Sequence, residues 1–245
     1  MSVLAGQTLL VTGAFGGIGA ACALKLAELG AQLIITDIRE PKFTFAALTA
    51  HPKEHLSVVA DVSDEASVAA LFERIDRYAP MLTGLVHCAG VIHEKPLLET
   101  EVADFDRVIS INLRGTFLVG REAIRRLQGR EGRVLLTASD LGVSGRETFS
   151  PYVASKHGVM GLMRSWAKEF GPRIKVNALC PGPIDTDMLG AAQMSPDWRA
   201  RELAIPAERF GKPQEIAAMA AFLMGPDADF ITGQGIGING GSVMP

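Results

Sequence analysis

Tyr152 and Lys156 lie four residues apart in a stretch, Tyr152 to Phe170, that is patterned as a long helix. Pro151 stands at its start and Gly171-Pro172 follows its end. At that spacing the two side chains share one helix face. A free phenol titrates near about 10, too high for a base at neutral pH. An ammonium held beside it favours the phenolate and lowers that value. The pair therefore reads as a general acid/base, Tyr152, with Lys156 as its electrostatic partner. The same spacing also gives ordinary surface pairs, so the reading depends on what accompanies it. Its companions are Asp37, Asp61, Gly90, Asn112, Ser139, Pro181-Gly182 and Thr186, which the chain places at the carboxyl edge of a sheet, where doubly wound folds bind ligands. Ser139 also suits a plain strand end and Asn112 a helix cap.

A second chemistry sits in Leu9 to Asp37. An apolar strand runs into Thr12-Gly13-Ala14-Phe15-Gly16-Gly17-Ile18-Gly19, then a helix, then a second apolar strand closed by Asp37. Glycines at 13, 17 and 19 permit a sharp turn that brings backbone N–H groups to an anion. The helix starting there aims its free N–H groups and positive dipole end at the same ligand. Asp37, about 20 residues on, is placed to accept from a ribose 2′-OH. This is dinucleotide geometry. The carboxylate suits the 2′-OH of NAD and repels the 2′-phosphate of NADP, so NAD is the expected cofactor. Arg39 is the one nearby cation and is read as a surface residue.

The elements that must position these residues alternate along the whole chain. Strand-like runs fall at Leu9–Val11, Leu33–Ile35, Leu56–Ala60, Gly84–Cys88, Val134–Thr137, Lys175–Leu179 and Ile231–Asn239. Helical patterns separate them, which predicts an α/β Rossmann fold, a doubly wound parallel sheet with helices on both faces. A short helix is expected within Arg39 to Glu54, a helix capped by Ser63 through Ile75, one from near Thr100, one over about Leu113 to Leu127 and one over Pro213 to Met224. Residues 185–211 lose periodicity and read as a long excursion. No linker or repeat occurs, so residues 1–245 are expected to form one domain. Apolar residues are 48% and charged residues 21%, a globular balance. No apolar run reaches the length of a membrane span, and no signal-peptide pattern opens the chain. Net charge of −3 argues against nucleic-acid partners. The group Arg121, Arg125, Arg126, Arg130 and Arg133 reads as a solvated helix face. Cys22, Cys88 and Cys180 read as buried thiols in a reducing, cytoplasmic setting. No histidine shows metal-ligand spacing, so no metal is expected.

Taken together, the chain resembles the classical short-chain dehydrogenase/reductase family over essentially its whole length. Thr12 to Gly19 match the family's TGxxxGxG turn, and Asn112, Ser139, Tyr152 and Lys156 match the order and spacing of its catalytic tetrad. Pro181-Gly182 with Thr186, and Gly233-Gln234 through Gly240-Gly241, match two further segments. The resemblance implies that Ser139 hydrogen-bonds the substrate oxygen and Tyr152 exchanges its proton. It implies that Lys156 also holds the nicotinamide ribose, and that Asn112 positions a relay water. Cofactor contacts are implied for Gly13, Phe15, Gly17, Ile18, Gly19, Asp37, Asp61, Val62, Cys88, Ala89, Gly90, Pro181, Gly182, Ile184 and Thr186. The chain departs from the family's Asn-Asn-Ala-Gly in having His87-Cys88-Ala89-Gly90, with His87 read as a buried hydrogen-bonding substitute. The expected activity is hydride transfer between NAD(H) and a secondary alcohol or ketone. The alternatives are an NADPH-dependent 3-oxoacyl thioester reductase and a non-catalytic nucleotide sensor. The excursion would be a substrate lid carrying Met188, Leu189, Met194, Trp198, Ile205, Pro206 and Phe210, with Arg199, Arg201 and Arg209. His93, Arg146, Glu147 and Phe149 are rim candidates. The resemblance also implies a homotetramer, built on the helices around 113–127 and 152–170 and on the last strand.

Overall fold

The computed structural model describes residues 2–40, 55–78 and 81–244. The short helix expected within Arg39 to Glu54 lies almost wholly outside them. The apolar runs become seven strands: β1 (Thr8–Thr12), β2 (Gln32–Asp37), β3 (Leu56–Val59), β4 (Gly84–His87), β5 (Gly132–Thr137), β6 (Ile174–Pro181) and β7 (Gly235–Ile238). All pair in parallel, in the order β3-β2-β1-β4-β5-β6-β7. Between them come α1 (Gly17–Glu28), α2 (Glu65–Tyr78), α3 (Val102–Ile109), α4 (Gly115–Leu127), α5 (Ser150–Phe170), α6 (Pro196–Glu202) and α7 (Pro213–Met224).

Successive strand residues face opposite sides, so each strand feeds two cores. Leu10, Ile34, Leu85, Val134 and Val176 pack with α2, α4 and α5 on one face. Leu9, Val11, Leu33, Val86, Leu135 and Leu179 pack with α1 and α7 on the other. Coverage of both faces is why these strands are apolar throughout rather than alternating. At Gly120 an added Cβ would come within 2.4 Å of the Trp166 ring, so α4 and α5 pack closely only because that position is glycine.

Four details differ from the sequence expectation. Ser63 does not cap α2. Asp64 does, accepting from Ala66 and Ser67 N–H at 3.3 and 3.2 Å, while Ser63 gives its own N–H and hydroxyl to Asp61. The charged oxygen takes the helix end because the Ser63 hydroxyl is already engaged. The two helices expected near Thr100 and over 113–127 are α3 and α4, joined through a π-helical turn at Ser110–Arg114 rather than broken by a loop. The last strand is shorter than Ile231–Asn239. Finally, the 185–211 excursion contains the short helix α6, capped by Ser195, whose hydroxyl accepts from Trp198 N–H at 3.2 Å.

Candidate functional site

The strand order reverses between β1 and β4, and a cleft of about 680 Å³ opens there at the carboxyl ends. At one end is the glycine turn. Gly13 has φ +63°, and a Cβ there would come within 2.8 Å of the Ala89 backbone, so only glycine lets β1 and the β4 end approach. At Gly19 a Cβ would lie 2.0 Å from the Gly13 carbonyl oxygen, closing the turn onto α1. The first turn of α1 holds no acidic residue, so its N–H groups and dipole face the cleft unopposed.

Asp37 ends β2 as expected, is buried, and accepts the Phe15 N–H at 3.2 Å. Arg39 is no bystander. Its N–H and Nε reach Asp37 Oδ1 at 3.2 and 3.1 Å, and its Nη2 reaches Oδ2 at 3.3 Å. Four donors therefore fill the roughly four acceptor positions of one carboxylate. Burial alone would raise the Asp37 carboxyl, but Arg39 and the Phe15 N–H outweigh it and hold it below the usual range. The signal was the i, i+2 spacing, which puts two strand-end side chains on the same side.

At the other end stand the candidate catalytic residues. Lys156 is buried, donates from Nζ to the Thr137 carbonyl at 2.7 Å, and lies 5.6 Å from the centre of the Tyr152 ring. The expectation that Lys156 depresses the Tyr152 pKa does not hold here: the phenol is raised, not lowered. Burial pushes the phenol up to about 12, and burial likewise pulls Lys156 down to about 8. Desolvation outweighs the opposing influences, a Ser139 hydrogen bond at Tyr152 and the Cys88 and Cys180 thiols at Lys156.

Asn112 is buried in the π-turn, a feature that frequently marks functional positions. Its amide is spent on structure: Oδ1 accepts Val91 N–H at 2.8 Å, and Nδ2 donates to Val91 carbonyl at 2.9 Å and Ser155 Oγ at 3.1 Å. It ties the loop after Gly90 to α5. Ser139, buried at the end of β5, accepts Leu141 N–H at 3.1 Å and donates to Asp140 Oδ1 at 2.9 Å. Asp140 went unread in the sequence, although an acid directly after a candidate catalytic serine was visible there.

Of the residues expected at the cofactor, the cleft brings together Gly13, Gly17, Ile18, Gly19, Asp37, Asp61, Val62, Cys88, Ala89, Gly90, Tyr152, Lys156 and Thr186. Phe15, Pro181, Gly182 and Ile184 do not line it. Phe15 serves through its N–H on Asp37, Gly182 packs with its Cα close under Asn239, and Ile184 is buried beside Gly211. The cleft adds Ile38, Arg39, Val91, Ile92, Arg107, Ile111, Thr137, Ala138, Asp187 and Met188. Arg107 comes from α3, Ile111 from the π-helical turn and Thr137 from the end of β5; the others come from connecting segments whose direction no local pattern encodes. His87 is buried as expected, 2.9 Å from Thr12 Oγ1 through Nδ1. Thr12 Oγ1 accepts from Cys88 and Ala89 N–H, which leaves its hydrogen for His87 Nδ1 and fixes the Nε2–H tautomer.

The rim is tied to the excursion. Arg146 pairs with buried Glu202 and stacks 5.1 Å from Phe149 and 5.2 Å from Trp198. Phe149 meets Tyr152 edge-on at 6.4 Å. Arg201 pairs with Glu147, Arg209 with Glu215, and Arg199 stacks on Phe210. His93 lies 3.8 Å from Asp104. Away from the cleft, Arg121, Arg125, Arg126 and Arg133 are matched by Glu65, Glu122, Asp76 and Asp229, as a solvated face requires.

Residues 13–242 match the family model described as Enoyl-(Acyl carrier protein) reductase. The chain is 36% identical over 248 residues to a 3-oxoacyl-(acyl carrier protein) reductase of Thermotoga maritima, covering 98% of this chain and 99% of that protein. It is 38% identical over 250 residues to the levodione reductase of Leifsonia aquatica, covering 96% and 93%. It superposes with TM-score 0.88 and 32% identity on an Agrobacterium tumefaciens structure described as a 2-deoxy-D-gluconate 3-dehydrogenase with bound NADP, covering 97% and 96%.

Proposed function

Because the chain belongs to the short-chain dehydrogenase/reductase family, whose members are oxidoreductases acting on CH–OH groups, we propose that it transfers hydride between NAD(H) and a secondary alcohol or ketone. The observation that carries this reading is convergence. One cleft joins a glycine turn and ribose-binding acid at one end to a buried Tyr152–Lys156 pair at the other. The fit for a dinucleotide rests on the backbone approach at Gly13, which any Cβ would block, and on the unopposed N-terminus of α1. When bound, the nicotinamide supplies or accepts the hydride.

The protein's own part is placement and proton movement. Tyr152 exchanges the proton of the substrate oxygen, and Ser139 hydrogen-bonds that oxygen. Lys156, anchored on the Thr137 carbonyl, orients the ribose and supplies positive charge when the phenolate forms. Asn112 holds the Val91 backbone beside the cleft and ties it to α5 through Ser155, and the relay water is the role that the resemblance assigns to it. The remaining cofactor residues act as the resemblance assigns them.

NAD is the preferred cofactor in this reading, because a 2′-phosphate would meet the Asp37 carboxylate. Two observations favour the other choice: the Arg39 guanidinium already sits at that carboxylate, and a similar structure holds NADP. Fluorescence titration with NADH and NADPH decides it. A tighter dissociation constant for NADPH overturns the NAD assignment.

The whole chain acts as one nucleotide-binding unit, with residues 185–211 as substrate lid. Each rim and lid arginine named above has an internal carboxylate or ring partner, which favours neutral substrates. The protein works in the cytoplasm as a homo-oligomer, without nucleic-acid or membrane partners. NADH oxidation followed over a cyclic dione, a 3-oxoacyl thioester and simple secondary ketones tests the activity, with Tyr152→Phe as control. Turnover that falls by about 10²–10⁴ in the variant supports the reading. Tight NADH binding with no turnover in either direction favours the sensor.

A further inference from the structure

Among the buried polar groups, Asp140 has no part in the chemistry assigned so far. It stands directly after Ser139, is 9% exposed, and receives three donors. Ser139 Oγ and Leu141 N–H reach Oδ1 at 2.9 and 2.8 Å, and Ser242 Oγ reaches Oδ2 at 2.6 Å. Ser242 comes from the end of the chain, 102 residues away, so the carboxylate also joins the C-terminal segment to the site.

A serine hydroxyl carries one hydrogen and two lone pairs. Here the hydrogen goes to Asp140, and one lone pair takes the Leu141 N–H. The remaining lone pair faces the Tyr152 hydroxyl, whose hydrogen bond with Ser139 works against the effect of burial on the phenol. A carboxylate so placed also bears on the nearby phenol, since like charge disfavours the phenolate. We propose that Asp140 is a positioning residue of this site: by taking the Ser139 hydrogen and setting negative charge beside Tyr152, it makes the free protein present Ser139 as acceptor and Tyr152 as donor. A ketone oxygen needs a donor first, so the free site is poised to reduce a carbonyl. Substrate entering must draw the Ser139 hydrogen away from Asp140, which keeps Leu141 N–H and Ser242 Oγ as partners.

Other titratable groups lie around Lys156, itself 5.6 Å from the Tyr152 ring, and define the background. Lys156 lies on the same helix as Tyr152. His87 and Cys88 on the β4 end, and Cys180 on β6, surround Lys156, with Arg164 further along α5. The charge of Asp140 contributes to the raised Tyr152 value, behind burial, and also raises Cys180.

The inference rests on Tyr152 as the proton-exchanging group, but its test needs no substrate. The chain has only two tyrosines, Tyr78 and Tyr152. Tyrosine labelled with ¹³C at Cζ therefore gives two resonances, assigned with Tyr152→Phe, and each can be followed from pH 7 to 11 with circular dichroism reporting the fold. In Asp140→Asn, which keeps the size and the Oδ1 acceptor, the Tyr152 resonance begins to titrate at least about 0.5 pH unit below wild type. Asp140→Ser repeats the shift should Asp140→Asn not fold. Ser242→Ala, which keeps the charge, follows wild type. Coincident Tyr152 curves for wild type and the neutral variants overturn the role. Loss of the turnover contrast between wild type and Tyr152→Phe would instead overturn the acid/base reading.

Discussion

At the scale of single residues, His87 shows how a departure from family type is accommodated. Burial holds its ring down to about 3, with the Lys156 charge adding to the effect, so the imidazole is neutral at pH 7. The depressed value gives the sign directly. The unfolded chain takes up a proton near pH 6.5 and the native state does not, so stability falls as pH drops from about 6.5 towards 3. Chemical denaturation of His87→Asn and wild type at pH 7 and pH 4.5 checks this. The variant loses less stability on acidification, by about 1–3 kcal/mol. Equal losses would mean that other carboxyls set the acid limit. The identity of His87 as a buried substitute was legible in sequence, because it sits in an apolar strand. Its tautomer was not, because that depends on Thr12 across the sheet.

At the scale of elements, strands and the glycine turn were legible because period, turn chemistry and strand–turn–helix order are local properties. The π-turn holding Asn112, the Asp64 cap and the Asp37–Arg39 clamp were not, since each is settled by competition among hydrogen bonds. The 185–211 excursion was visible only as a loss of periodicity. What fixes it is the Arg146–Glu202 pair held between Phe149 and Trp198. Removing one member of a buried pair strands the other, at a cost of about 3–5 kcal/mol. Glu202→Ala should therefore release α6 first. Trypsin then cuts at Arg199 or Arg201 at least about tenfold faster than in wild type, while NADH affinity stays within about twofold. Unchanged cleavage would show that the excursion is held elsewhere.

At the scale of the whole molecule, apolar side chains remain on one stretch of surface: Leu98 at 98% exposure, with Val102, Phe105 and Phe117 also exposed on or beside α3 and α4. A second group, Phe230 and Met244, lies near β7 at the chain's C-terminal end. Patches of this kind mark interaction surfaces. Phe117 lies on the helix over 113–127, and Phe230 and Met244 lie near the last strand, two of the segments that the resemblance assigns to a homotetramer, whereas Leu98, Val102 and Phe105 lie outside them. Sedimentation velocity should show a tetramer for wild type and a smaller species for Phe105→Glu combined with Phe117→Glu, with the same circular dichroism spectrum. A monomeric wild type would remove the assembly proposal and leave the site intact.

The Asp37–Arg39 clamp has a consequence for how the protein meets its cofactor in solution. A carboxylate whose acceptor positions are filled cannot greet a ribose until the guanidinium turns away, so cofactor and side chain compete for one group. Arg39 is about half exposed, and its attraction to Asp37 is open to screening. Ions therefore weaken the competitor as well as the dinucleotide's own charge contacts. Between about 0.05 and 0.5 M salt, NADH affinity in wild type should fall less steeply than in Arg39→Ala, where only the second effect operates. Parallel slopes would mean that the clamp opens without cost. Diverging slopes would make this ion pair a built-in buffer of cofactor occupancy against changes in ionic surroundings.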